Sequence, residues 1–318
     1  MKKFDWIILG DEKGEDAKTP VTQKKTGFIP VPFLPQTEIA FRSAGTQHYL
    51  INHKQKLTMS TMADNFLSEV KLDMDVQQVD DKGYLAALQF GEVKLLEFEN
   101  YLTEELMKTA RRLNYIYDHL LLRLNRNGSV AEVENRPDIK QKWEQLKYDL
   151  QRADPFNTAQ FIAMKDAELS SRSLLNGSIE NLPLFSFLFL LLGLNVPENG
   201  HAVLNKTKLD QLCGAVPLPF LVQVTEKEIP QGEGRGFTVK GMLQESRVDM
   251  HSLKRIAKER YQIEALNKYH FEYGGEYVYN AKGWPQHAVL TITEYMNEQC
   301  YSSATYSLTA IAEENTGQ

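Results

Sequence analysis

The feature that most limits what this chain can fold into is its longest apolar run, Leu182-Pro183-Leu184-Phe185-Ser186-Phe187-Leu188-Phe189-Leu190-Leu191-Leu192-Gly193-Leu194, just past the midpoint of 318 residues. As a helix the run would span about 20 Å, well short of the ~30 Å of hydrocarbon in a bilayer, and Pro183 and Gly193 bracket it. No membrane span is expected from it. Such a segment is either buried on all sides or docked on something greasy, and burial in a large core is the simpler expectation. The chain can build that core without a disulfide, since 42% of it is hydrophobic and 10% aromatic.

Strand and helix patterns flank the run. Val70-Lys71-Leu72-Asp73-Met74-Asp75-Val76 alternates, turns at Asp80-Asp81-Lys82-Gly83, and returns through Tyr84, Ala86, Leu88 and Phe90. Leu120 to Leu124 leads into Asn125-Arg126-Asn127-Gly128 and out through Val130 and Val133, a hairpin whose Asn-Gly supplies positive φ. A helix follows from Asn135-Arg136-Pro137 with Ile139, Trp143, Leu146 and Leu150 on one stripe. A second helix starts at Asn157-x-x-Gln160 and is expected to stop at Asn176-Gly177, and an earlier one covers Thr103 to Tyr115. Beyond the run come strands at Phe220 to Val224 and Phe237 to Val239, a basic helix from about Met250 to Leu266, and three last strands ending near Ile311. The turns Asp80-Asp81-Lys82-Gly83-Tyr84 and Asn280-Ala281-Lys282-Gly283-Trp284 share Lys-Gly-aromatic, which suggests two similarly built halves.

The N-terminus behaves differently. Phe4-Asp5-Trp6-Ile7-Ile8-Leu9 reads as a first strand: Asp5 interrupts an apolar stretch too short for a secretion signal, so a cytoplasmic protein is expected. Residues 11 to 27 have no period. Then Phe28-Ile29-Pro30-Val31-Pro32-Phe33-Leu34-Pro35 places apolar side chains on a backbone that its prolines hold extended, so Phe28, Ile29, Val31, Phe33 and Leu34 need a surface to lie on and are the candidate partner-binding residues.

Motifs for chemistry are few. Gly232-Glu233-Gly234-Arg235-Gly236 runs into the strand Phe237-Thr238-Val239 rather than into a helix N-terminus, so a hairpin loop is expected instead of a phosphate cradle. Asp73 and Asp75 share a strand face about 7 Å apart, but Glu69 and Lys71 lie on it too, the pattern of a solvated face. The seven histidines form neither H-x-H nor H-E-x-x-H, Cys213 and Cys300 are read as free thiols, and no G-x-S-x-G elbow occurs. No catalytic, cofactor or metal residue is proposed. A net charge of -6 with the two signs interspersed argues against a nucleic-acid partner, and Lys254-Arg255-x-x-Lys258-x-Arg260 is the wet face of an amphipathic helix.

The expected fold is α+β: a large twisted antiparallel β-sheet, or a related pair, with three to four packed helices. Residues 1–45 form an extended arm, 46–181 carry hairpins and helices, and 182–318 make a β-rich half sharing one core with 46–181. Two functions fit such an object. The preferred one is a non-enzymatic structural or assembly protein that engages a protein partner or another copy of itself. The alternative is a carrier holding an apolar ligand against residues 182–194; in architecture alone, strands wrapped around an apolar interior resemble the half-barrel carriers of lipids and lipoproteins in bacterial envelopes, with no shared motif.

Overall fold

The computed structural model describes residues 38–59, 62–99, 104, 111–153, 158–197, 200–212, 216–229, 234–261, 269–297 and 300–312. Among these, one antiparallel sheet collects β1 (Gly45–Met59), β2 (Met62–Val79), β3 (Gly83–Phe90), β4 (Lys94–Phe98), β5 (His119–Asn125), β6 (Val130–Val133), β7 (His201–Leu209), β8 (Pro217–Lys227), β9 (Gly234–Leu243), β10 (His270–Asn280), β11 (Pro285–Asn297) and β12 (Cys300–Ile311). The spatial order is β6-β5-β3-β2-β1-β12-β11-β10-β9-β8-β7, with β4 beside the first part of β2. The first and last strands thus pair at the centre, His48 opposite Ile311 through Met59 opposite Cys300. From there the chain walks outward to β6, crosses back through α1 (Arg136–Ala153), α2 (Ala159–Ser170), α3 (Arg172–Glu180) and α4 (Pro183–Phe189), and re-enters at the far edge as β7. A fifth helix, α5 (Met250–Tyr261), leads into the last three strands.

Alternation decides which face of the sheet is covered. On β12 the buried positions are Cys300, Ser302, Ala304, Tyr306 and Leu308, and their cross-strand partners on β11, including Ala288, Ile292 and Glu294, are buried as well. The covered face is concave. Four strand spacings separate β7 from β11, about 19 Å in a flat sheet, yet Lys208 of β7 pairs with Glu294 of β11 across the covered face. No lysine and glutamate could bridge that gap unless the sheet curled around it.

The apolar run fills the hollow. Phe185 and residues 187–192 are buried in the main core, which takes residues from both arms of the sheet and from α1 to α4. The Phe187 ring lies 5.8 Å from Tyr277 and 5.9 Å from Tyr306, and the Tyr277 hydroxyl donates to the Phe187 carbonyl. Pro183 opens α4, where its missing N–H has no helical partner to lose. Gly193 ends the run at φ +76°, and a Cβ there would stand 2.4 Å from the Arg126 carbonyl oxygen, so only glycine lets the run pass the β5–β6 turn. Trp143 of α1 is buried as its stripe demands, and its indole N–H donates to Asp166 at 2.7 Å.

The two Lys-Gly-aromatic turns meet. Asp80 accepts from the N–H groups of Lys82 and Gly83, and Asn280 from those of Lys282 and Trp284, so each turn is closed by its first side chain. Phe41 then packs between the two aromatics, 5.3 Å from Tyr84 and 4.9 Å from Trp284. The shared motif builds one aromatic clasp where the chain enters the sheet.

Two expectations need correction. The helical complement exceeds three to four: five α-helices have described bounds, and residues 111–114 form a further helical turn. Asn176-Gly177 stops nothing, because it lies inside α3; the break falls at Ser171, whose extended backbone ends α2 and whose hydroxyl accepts from the Leu174 N–H to cap α3. β4 and β7 are strands that the sequence pattern does not predict, and they are defined by their pairing with β2 and β8. Of the glycine-rich stretch, Gly234, Arg235 and Gly236 belong to β9 itself, and Gly232 and Glu233 lie outside the described residues.

Candidate functional site

The arm residues Phe28, Ile29, Val31, Phe33 and Leu34 lie outside the described residues, as does the Phe4 to Leu9 stretch. What is described is the root of the arm. Glu38 forms a bridge with Asn195, the Ile39 N–H donates to Leu194, the Gly193 N–H donates back to Ile39, and Arg126 pairs with Glu38 at 2.9 Å. Ile39, Ala40 and Phe41 are buried behind it. The chain is therefore anchored beside the segment that leads into β7.

The sheet's two ends differ in what they offer. At β6, only four residues long, side chains of α3 take over the outer backbone groups: Glu180 accepts from the Val130 N–H, and the Asn176 amide donates to the Ala131 carbonyl at 3.0 Å. At β7 the nine residues from His201 to Leu209 pair with β8 in unbroken register and with no other described strand. Its convex-facing side chains include Val203, 49% exposed, and Leu209, 41% exposed. Its concave-facing side chains include Lys206 and Lys208. Burial pulls the Lys206 ammonium below the usual lysine range, against the opposing charge of Glu180.

Among the described residues Glu294 is the one carboxylate of the concave face with no exposure at all, and it is fully engaged. It pairs with Lys208, accepts from the Gln211 N–H at 2.6 Å, and accepts from the Tyr269 hydroxyl at 2.5 Å. This knot stands between the main core and a smaller cluster in which Leu253 and Ala257 of α5 pack against Leu218, Met296 and Cys300. Burial pushes the Cys300 thiol up to about 12, so it is no nucleophile at neutral pH.

A third region carries an unpartnered group. His53 stacks on Tyr306 with ring centroids 4.5 Å apart and meets Phe66 edge-on at 5.2 Å. Burial lowers its imidazole to about 4, a side-chain hydrogen bond with Gln55 acting the other way, and its Nε2 is buried without a partner. Opposite Phe66 on β4 stands Phe98, 45% exposed. Asp73 and Asp75 sit on the convex face, Asp73 accepting from His48 at 2.7 Å and Asp75 from the Thr46 hydroxyl at 3.1 Å. Among the described residues no three His, Cys, Asp or Glu side chains come together as a metal site, and no helix is long and apolar enough to cross a membrane.

No family model matches this sequence, and no curated protein matches it. Among solved structures it is similar to one described as "Lipid-protein interactions in lipovitellin", with a TM-score of 0.43 and 8% identity over 84% of this chain. The match spans 25% of that protein's chain.

Proposed function

We propose that this chain is a non-enzymatic structural or assembly protein of the cytoplasm, joined to a protein partner or to a second copy of itself through the β7 edge and the N-terminal arm. The observation that carries this is the contrast between the sheet's ends: β6 is covered by α3, whereas β7 is long, regular and, among the described residues, paired on one side, with Val203 and Leu209 exposed beside it. Natural sheets blunt such an edge unless something pairs with it. Lys206 and Lys208, turned inward, guard the second half of the strand and leave His201 to Asn205 as the stretch that can accept an added strand. The arm's root is anchored by Glu38 to Asn195, beside the segment that leads into β7, which supports assigning Phe28, Ile29, Val31, Phe33 and Leu34 to apolar contacts at the same junction. The test is solution mass by light scattering across a range of concentrations. The full chain is expected to self-associate, while a chain lacking residues 1–35 and a Val203→Lys/Leu209→Lys variant stay monomeric with unchanged melting. Variants that associate like the parent remove both surfaces from the proposal.

The carrier alternative rests on a different place from the apolar run, because that run packs against its own sheet. What favours it is the neighbourhood of Phe66 and Phe98 on the concave face, with the partnerless Nε2 of His53 beside it and Gln55 opposite Phe66. Native mass spectrometry of the freshly purified chain would reveal a co-purified apolar ligand. A Phe98→Asp variant that retains that ligand would sink this alternative.

A further inference from the structure

We propose that a groove on the convex face, formed by β10, β11 and β12 at the end nearest α5, is a binding site for a neutral saccharide. Register alone assembles it: His270 lies opposite Tyr295, Tyr295 opposite Tyr301, and Glu272 opposite Thr293. These five side chains line a groove of about 450 Å³, a volume within the range of small-molecule sites. The walls are aromatic. The Tyr295 and Tyr301 rings stand 6.4 Å apart at 69°, the His270 ring is 5.9 Å from Tyr295, and the Lys56 ammonium sits 5.7 Å over Tyr301.

The polar groups between the walls are of both kinds. Thr293 shares a hydrogen bond with Ser303 at 3.1 Å and keeps further hydroxyl capacity, while Glu272 is exposed and forms no ion pair with a described residue. A sugar ring matches this set. Its apolar C–H face stacks on an aromatic wall, and its hydroxyls both donate to a carboxylate and accept from a hydroxyl or an imidazole. Other ligands fit worse. An extended peptide would seek main-chain partners, but β11 and β12 are each paired on both sides, and β10 is left open by β9 only over His270, Phe271 and Glu272, too short a stretch to hold an added strand. A phosphate or other anion meets Glu272, and a lipid chain would strand the polar groups.

Saturation-transfer NMR of the full chain with maltotriose, cellotriose and chitotriose, followed by calorimetric titration of any binder, tests this. Saturable binding of at least one is expected, weakened roughly tenfold by Tyr301→Ala, the loss of one stacking wall, and preserved by Tyr301→Phe. Glu272→Gln, at an exposed position where folding is not at stake, should weaken it severalfold. No transfer to any of the three sugars, or an affinity that both Tyr301→Ala and Glu272→Gln leave unchanged, overturns the proposal. If Tyr301→Ala does not fold, the Glu272→Gln result decides alone.

Discussion

The two edges of this sheet solve the same problem in opposite ways. Every edge strand presents unpaired N–H and C=O groups that water or a partner must satisfy. At β6 the chain supplies the partner itself: α3 lies along the strand, and Glu180 and Asn176 hold the groups that a further strand would have used. At β7 no described element does this, and the strand is instead held from its concave side, by Lys208 reaching over to Glu294. Among the described residues one edge is finished and the other is paired on one side. On the proposed reading an intermolecular contact forms at β7, and the Glu294 knot is what holds that strand from its concave side.

The largest expected effect therefore belongs to Glu294. Replacing it with Gln leaves Lys208 on the concave face without its counter-charge, a change that costs about 3 to 5 kcal/mol when one member of a buried pair is removed. The lower end is expected here, because Lys208 keeps some contact with solvent. The informative experiment is the double variant. Glu294→Leu with Lys208→Met should recover most of the loss, since an apolar pair of similar volume is often no less stable than a buried ion pair. Yet it should loosen β7, seen as faster amide exchange from residues 201–209. A double variant as unstable as Glu294→Gln would mean that the carboxylate matters through Gln211 and Tyr269 and not through the lysine, and the contrast between the edges would lose its physical basis.

Legibility in the sequence follows the same division. The β5–β6 hairpin is readable because Asn127-Gly128 marks its turn and Leu120, Leu122 and Leu124 alternate into the core. The apolar run reads as buried because Ser186 is its only polar side chain, and Ser186 is exposed. By contrast β7, His-Ala-Val-Leu-Asn-Lys-Thr-Lys-Leu, does not read as a strand: its concave-facing positions are Ala202, Leu204, Lys206 and Lys208, so charge stands where an apolar residue is expected. Those lysines make sense only once the sheet curls and brings Glu294 and Glu180 toward them, and curl has no signature in a local pattern. The convex groove is hidden for a related reason. His270, Thr293 and Tyr301 sit on three strands, and only the register of β10, β11 and β12 makes them neighbours.

A medium effect is expected at the finished edge. Glu180→Ala leaves the Val130 N–H without an acceptor and removes the charge that opposes Lys206, so it should cost about 1 to 3 kcal/mol. Denaturation midpoints of the parent and the variant measure this. Glu180→Gln, which still offers a carbonyl oxygen, should recover part of it. The sharper readout is association: with the cap gone, β6 becomes a second open edge, and the variant should oligomerise more readily than the parent at equal concentration. A Glu180→Ala protein with parental stability and mass would show that water satisfies β6 as well as the helix does.

The smallest effect runs in the stabilising direction and concerns the helix that does the capping. Asn176-Gly177 has the composition of a helix stop, yet α3 continues through it to Glu180, because Leu175 and Ile179 are buried on one side while the Asn176 side chain is held by the Ala131 carbonyl. Gly177 is thus a mid-helix glycine kept in place by its neighbours. A Cβ built on it meets no atom within 4 Å, and its φ lies outside the left-handed region, so alanine fits without strain. Replacing glycine by alanine in a helix interior gains about 0.5 to 1 kcal/mol, mostly by narrowing the unfolded ensemble. Gly177→Ala should raise the denaturation midpoint by that amount and slow amide exchange across α3 and, through Glu180 and Asn176, across β6. Exchange from β7 should not change, since α3 holds none of its backbone. If β7 slows in step with β6, the two edges are coupled through the helical crossing, and the open edge is not independent of the closed one. If the substitution destabilises, Gly177 serves a backbone geometry in α3 that the rest of the helix does not explain.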